Sequence, residues 1–351
     1  SYYLTGNITG VVGKHGIEIV ASGVTLDLMG FDLSGIPAMG AFDGVSATVN
    51  DLTNITIRNG SFRGWGDEGV DLGTSSSINS AVIDVRASGN TGSGISTDDG
   101  STITGCTANS NDASGISTGS ASTITGCTAS SNTANGISTA NGSTITGCTA
   151  SFNDASGIST ATGSTITGCT ASFNDASGIS AGSASTITGC TASFNTANGI
   201  LTGAGSTITG CTAYLNNASG ISTGISCTIS NCTALFNTLD GIRVSTSCVV
   251  LANTCTQNGA GGDGAGIHAT GTNNRIEGNN CVDADRGIDV DGNGNIIIKN
   301  TCSGNTLNWD IATDNYYGPI INRTGVATAA VNGSAAASTL ATTDPHANFT
   351  Y

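Results

Sequence analysis

One feature of this chain constrains its fold more than any other: a repeat of 21 residues. Gly-Ile-Ser recurs with its glycine at 94, 115, 136, 157, 178 and 220, and Gly199-Ile200-Leu201 fills the gap. The pattern continues with more variation as Gly241-Ile242, Gly266-Ile267, Gly287-Ile288 and Asp310-Ile311, and upstream as Gly16-Ile17, Gly44-Val45 and Gly69-Val70. A fixed period of this length marks a solenoid, in which each coil packs only on its neighbours. Within the unit, apolar and polar residues alternate with period two, as in Ser-Thr-Ile-Thr-Gly-Cys-Thr-Ala. Thr and Ile favour strands, Asn, Asp and Gly mark bends, and no 3.6-residue stripe is present. The pattern predicts an all-β, single-stranded right-handed parallel β-helix of about 14 coils, roughly 65 Å long at about 4.8 Å per coil. Residues 1–315 read as the helix and 316–351 as an irregular or strand-paired cap.

A constant period stacks equivalent residues into columns. Asn132, Asn153, Asn174, Asn195, Asn216, Asn237 and Asn258 read as an internal asparagine ladder at a bend. Phe152, Phe173, Phe194, Leu215 and Phe236 read as a buried aromatic stack, and Ile124, Ile145, Ile166, Ile187 and Ile208 as core. Seven cysteines from Cys106 to Cys232 are spaced by 21, with Cys255, Cys281 and Cys302 continuing the column less regularly. Stacked Cβ atoms near 4.8 Å exceed the roughly 3.5–4.5 Å a disulfide needs, so free buried thiols acting as small hydrophobes are expected. The pair Cys227 and Cys248 is the best placed for a bridge. No Cys-x-x-Cys and no histidine at ligand spacing suggest thiolate metal sites.

The Gly-Ile steps, the asparagine column and segments such as Asn274-Arg275-Ile276-Glu277-Gly278-Asn279-Asn280 resemble the right-handed β-helix proteins of the pectate-lyase-like superfamily. The resemblance spans nearly the whole chain. It implies the fold strongly and function weakly, since that superfamily holds lyases, hydrolases, epimerases, tailspikes and non-catalytic proteins.

Charge narrows the partners. Nine basic residues face 24 acidic ones, for a net charge of -15, and no Lys or Arg occurs between Arg86 and Arg243. That argues against nucleic acid or an anionic membrane as partner. No apolar run approaches the roughly 18 residues of a membrane span. The chain opens directly on a strand-like segment, so any targeting leader is expected to have been removed. An extracellular or cell-surface location is expected.

Candidate sites follow from columns that break the Ser/Thr monotony. Two residues after the repeat glycine, the outward position becomes Arg243, His268 and Asp289 on consecutive coils. For an enzyme on acidic sugars, His268 is the base, Arg243 the carboxylate clamp and Asp289 the group orienting the imidazole. A surface charge ladder is the alternative. Asp283, Asp285, Asp289 and Asp291 crowd one coil and are the candidate ligands for Ca²⁺, the one cofactor the sequence offers. Trp65, beside Asp67, Glu68 and Asp71, is a candidate sugar platform if exposed, and His15 and His346 have no evident partner. Thr-Ile-Thr at 102–104, 123–125, 144–146, 165–167, 186–188 and 207–209 offers two outward rows of hydroxyls, a grid similar to the ice-binding face of insect antifreeze β-helices.

The near-identity of the coils from about 94 to 236 favours a non-catalytic structural or adhesive protein, including a self-assembling filament subunit, because clefts need unlike residues and long loops. The partners are then further copies, end to end, or an extracellular polysaccharide. A lyase or epimerase on acidic glycans, or a glycan-binding protein, is the alternative, confined to 1–93 or 240–320; ice binding is a third reading.

Overall fold

A computed structural model describes residues 1–73, 78–259, 262–322 and 343–350. The protein is an all-β parallel solenoid of about 15 turns, with coils about 21 residues apart and no helix among the described residues. It forms two compact units, Ser1–Leu201 and Thr202–Tyr351.

In the first unit one face is built from the Gly-Ile strands. Ile17–Ile19, Val45–Ala47, Val70–Leu72, Ile95–Thr97 and Ile116–Thr118 pair in parallel and in register, and the series runs on to Ile179–Ala181. The Thr-Ile-Thr strands, from Thr102–Thr104 to Thr186–Thr188, form another face. The Thr-Ala strands that follow each Gly-Cys corner, such as Thr107–Asn109 and Thr128–Ser130, form a third. From Ile95 onward each of these strands buries its isoleucine or its Thr-Ala alanine completely, so the core is a set of aliphatic columns. The flanking Thr102, Thr123, Thr165 and Thr186 are exposed, as a pleated strand with an inward Ile requires.

The corners hold the coils in register. Asn153 shows the pattern: its Nδ2 donates to Asn174 Oδ1 at 2.9 Å and to Ala129 O at 3.3 Å, while its Oδ1 accepts Asn132 N–H at 3.1 Å and Asn132 Nδ2–H at 2.9 Å. The ladder begins at Asn90 and Asn111, which keep the 21-residue spacing but lie ahead of the column read from Asn132. It also explains the repeat glycine. A Cβ on Gly115 would stand 2.7 Å from Asn132 Nδ2 and 2.8 Å from Gly136 O, so the ladder and the Gly-Ile step require each other.

All twelve cysteines are free and buried, Cys227 and Cys248 included. They are more than small hydrophobes. Cys106 N–H donates to Cys127 Sγ at 3.4 Å, and the Cys127 thiol lies 3.6 Å from Ile103 O. One cysteine assignment needs correcting. In the second unit the column of Cys211 and Cys232 continues not to Cys255 but to Asn253, Asn279 and Asn300, whose Oδ1 atoms take the same backbone N–H bonds. Cys255, Cys281 and Cys302 instead extend the core alanine column, Cys255 pairing in register with Ala234. Cys227 and Cys248 belong to a third corner that runs from Ser206 to Asn274 and Asn295.

The phenylalanine column is also corrected. Phe152, Phe173 and Phe194 are 59%, 46% and 40% exposed, stacked face to face at 5.0 and 4.7 Å. Each adopts a positive φ, 57°, 56° and 56°, beside a ladder asparagine that takes the inward place and turns the ring outward. In the second unit Phe236 is likewise exposed.

Of the expected cap at 316–351, Tyr316–Tyr317 pairs with Ile296–Ile298 and Asn348–Thr350 with Thr301–Ser303. Residues 323–342 and 351 of that segment lie outside the described residues.

Candidate functional site

In the second unit, Ile242–Val244, Ala265–Ala269, Arg286–Val290 and Leu307–Ile311 are consecutive parallel strands. Their register places Arg243 beside His268, His268 beside Asp289 and Asp289 beside Asp310. The inward neighbours, Ile242, Ile267 and Ile288, are fully buried, which fixes the intervening side chains on the outer face.

His268 is the centre of the cluster. Its Nδ1 lies 3.2 Å from Asp240 Oδ2 and 3.1 Å from Arg243 Nη1. Arg243 Nη1 also reaches Asp240 Oδ2 at 3.2 Å, so with Nδ1–H donating to Asp240 both cations share that carboxylate. Asp240 is 3% exposed and its Oδ1 accepts Ala265 N–H at 3.0 Å. On the other side of the ring, Nε2 is 3.0 Å from Asp291 Oδ2 and 3.8 Å from Asp289 Oδ2. Arg286 stands at the edge, 3.5 Å from Asp289, 3.0 Å from Asp310 and 2.5 Å from Asp263.

Burial pulls the basicity of His268 down, but hydrogen bonds to Asp240 and Asp291 and the charge of Asp240 outweigh it and push its pKa up to about 9. Burial works against ionisation of Asp240 too, yet its bonds to His268, Ala265 and Arg243 hold the carboxyl below its ordinary range. Asp289 moves the other way: burial raises it, and the nearby cations offset this only in part. The imidazole is therefore a proton-bearing group between a firmly ionised carboxylate and one with raised pKa. Such divergence is what proton-transfer chemistry uses.

The structure brings together Arg243, His268, Asp289 and Asp291. It does not add Asp283 and Asp285: Asp285 Oδ2 accepts N–H bonds from Gly262 at 2.8 Å and Gly264 at 3.5 Å, and Asp283 is exposed elsewhere on its coil. Sequence reasoning missed Asp240 and Arg286. Both occupy the position before the repeat glycine, which is Ser or Asn at 114, 135, 156, 177, 198 and 219; the change of residue type there was the available signal.

A second cluster lies in the first unit. His15 Nδ1 is 3.2 Å from Asp43 Oδ2, Asp43 Oδ1 accepts Glu68 N–H at 3.0 Å, and carboxylate oxygens of Asp43, Asp67 and Glu68 lie within 4.8 Å of one another. Burial, a hydrogen bond that protonated Glu68 gives to Asp67, and the charges of Asp67, Asp71 and Asp43 push Glu68 up to about 8. His15 thus has a partner the sequence did not suggest, and His346 lies 3.3 Å from Asp344. Trp65 is 1% exposed, its Nε1–H donating to Leu33 O at 3.0 Å, so it offers no ring face to a sugar.

The family description "right handed beta helix region" matches residues 7–150 and 135–280. The chain belongs to the right-handed β-helix family. No curated protein matches this β-helix chain. Among solved structures it resembles the A-module of mannuronan C-5 epimerase AlgE6 from Azotobacter vinelandii, at 15% identity and a TM-score of 0.53, over 84% of this chain and 82% of that one. It also resembles a double mutant of the periplasmic alginate epimerase AlgG, at 13% identity and a TM-score of 0.50, over 72% and 75%. At these identities the likeness is one of fold.

Proposed function

We propose that this β-helix protein acts on a uronate-containing polysaccharide outside the cytoplasm, with His268 as the proton-transfer group. One observation carries the reading: unlike ionisable groups from three consecutive coils meet at one imidazole, in a solenoid whose other coils present mostly Ser and Thr. Arg243, half exposed beside the ring, supplies the cation for a sugar carboxylate. His268, flanked by Asp240 and Asp291, gives or takes the proton at the carbon next to that carboxylate. The two solved structures above are named as epimerases, one for mannuronan and one for alginate, which supports the substrate class. The periplasmic designation of one supports a location beyond the cytoplasm. The test is incubation with alginate, pectate and other uronate polymers, followed by ultraviolet detection of unsaturated ends and by NMR of exchange at the sugar carbon. Turnover that His268→Ala abolishes is expected. Turnover unchanged in that variant, or none with any polymer, would overturn the reading.

A second reading, a structural or adhesive solenoid that assembles with further copies, is favoured by the uniformity of the coils in 94–200. Their outward positions repeat Ser and Thr with few charges. The Thr-Ile-Thr rows also keep the ice-binding alternative. Ice-recrystallisation and concentration-dependent sizing assays separate these from the polysaccharide reading.

A further inference from the structure

We propose that His268 Nε2, Asp289 and Asp291 form a binding site for one divalent transition-metal ion of the zinc class, with Asp240 as the outer carboxylate that orients the imidazole. The proposal goes beyond the proton-transfer reading and stands on geometry alone; an ion on Nε2 takes the place of the proton that His268 would transfer, so the two states exclude each other. The imidazole nitrogen and one oxygen of each carboxylate lie within 4.8 Å of one another. The separations from Nε2 are 3.0 Å to Asp291 and 3.8 Å to Asp289. Bonds of about 2.1 Å at tetrahedral angles place ligand atoms roughly 3.4 Å apart, midway between those values.

Two further observations point to a ligand. Asp289 is only 6% exposed, yet among the described residues its carboxylate accepts no hydrogen bond. Its nearest cations, Arg286 at 3.5 Å and His268 at 3.8 Å, form long ion pairs with it rather than hydrogen bonds. A carboxylate so buried normally finds a donor or an ion. On the far side of the ring, Asp240 accepts from Nδ1 and is itself fixed by Ala265 N–H. This carboxylate–histidine pairing sets the tautomer that leaves Nε2 facing the other two carboxylates, as outer-shell partners do in metal sites. Among the described residues Arg286 is the one cation close to Asp289 besides the histidine, and its charge is met by Asp263 and Asp310. An imidazole with two carboxylates suits zinc or its neighbours better than calcium, which prefers six to eight oxygens.

The experiment is equilibrium dialysis and calorimetry of the full chain with Zn²⁺, repeated with Co²⁺ for its visible spectrum and with Ca²⁺. About one Zn²⁺ per chain is expected, together with a raised unfolding temperature. His268→Ala should abolish binding. Asp291→Asn, at an exposed position, should weaken it at least tenfold. Asp240→Asn should weaken it about 10–100-fold. Circular dichroism confirms that each variant is folded. Three results would overturn the proposal: no binding at submillimolar Zn²⁺, binding that survives His268→Ala but is lost in His15→Ala, or Co²⁺ spectra dominated by thiolate charge transfer from the cysteine columns. Tighter binding of Ca²⁺ than of Zn²⁺ would overturn the choice of ion. Polysaccharide turnover by chelator-treated protein is measured separately, so failure of either reading is distinguishable from failure of the other.

Discussion

The buried amide of a ladder asparagine does several jobs at once. Asn153 accepts two hydrogen bonds from Asn132 and gives two through its Nδ2. Asn153→Ala strands a buried backbone N–H and a buried amide of its neighbour, so a loss of about 2–4 kcal/mol is expected, read from denaturant midpoints. A loss under about 1 kcal/mol would show that water replaces the amide. Glu68 makes a different kind of residue-scale prediction. Its folded pKa of about 8 stands above its ordinary value of 4.5, because burial and Asp67, Asp71 and Asp43 disfavour the charged form. In the folded state it holds a proton that the unfolded chain releases near pH 4.5. Its contribution to stability is therefore complete below that pH and is lost as pH rises to about 8. Glu68→Gln should match the wild type near pH 4 and exceed it near pH 9 by about 1–3 kcal/mol, after allowance for partial solvent screening. Thermal melts across that range check it; a constant difference at all pH values would refute it.

At the scale of strands and corners, the three bends of each coil solve one problem with different side chains. Each needs an inward group that accepts an N–H from the preceding coil, and Asn, Cys and Ser all serve. The column of Cys211 and Cys232 passes to Asn253, and that of Ser206 passes through Cys227 and Cys248 to Asn274. Free, buried and hydrogen-bonded thiols should be unreactive: in native protein none of the twelve is expected to react promptly with a thiol reagent, and all should react in denaturant. Prompt native labelling of any of them would contradict this packing. The same comparison shows what a sequence can carry. The parallel solenoid, the Gly-Ile face and the asparagine column were legible because a period of 21 is a geometric statement. The phenylalanine column misled because its direction depends on a positive φ, which alternation of residue types does not encode. Cys255 misled because it stands 23 residues after Cys232, while Asn253 stands at 21 and takes the place. At the site, Arg243, His268 and Asp289 were readable as one column. Asp240 was not read with them, since it stands in another column, the one before the repeat glycine, and only the fold turns its side chain onto His268.

Across the whole molecule, charge opposes the proposed substrate even though the site invites it. The chain carries -15, and the site's cations, Arg243, His268 and Arg286, are already met by carboxylates. A uronate polymer approaching such a surface is repelled at long range and attracted only at contact. Salt acts mainly on the long-range part: the screening length falls from about 30 Å at 0.01 M to about 8 Å at 0.15 M. Added salt should therefore remove repulsion faster than it weakens the short contact between a sugar carboxylate and Arg243. Affinity for alginate, and kcat/KM if turnover is found, should rise between those two ionic strengths, opposite to the trend for a basic polyanion-binding protein. Gel retardation in alginate-containing gels at graded salt measures the sign. Arg243→Gln should lower retention at every salt concentration and leave the upward trend in place, because the trend belongs to the net charge and the contact to one guanidinium. Retention that falls steeply with salt would mean that a local positive field governs the encounter, and would refute this account of how an acidic β-helix meets an acidic polymer.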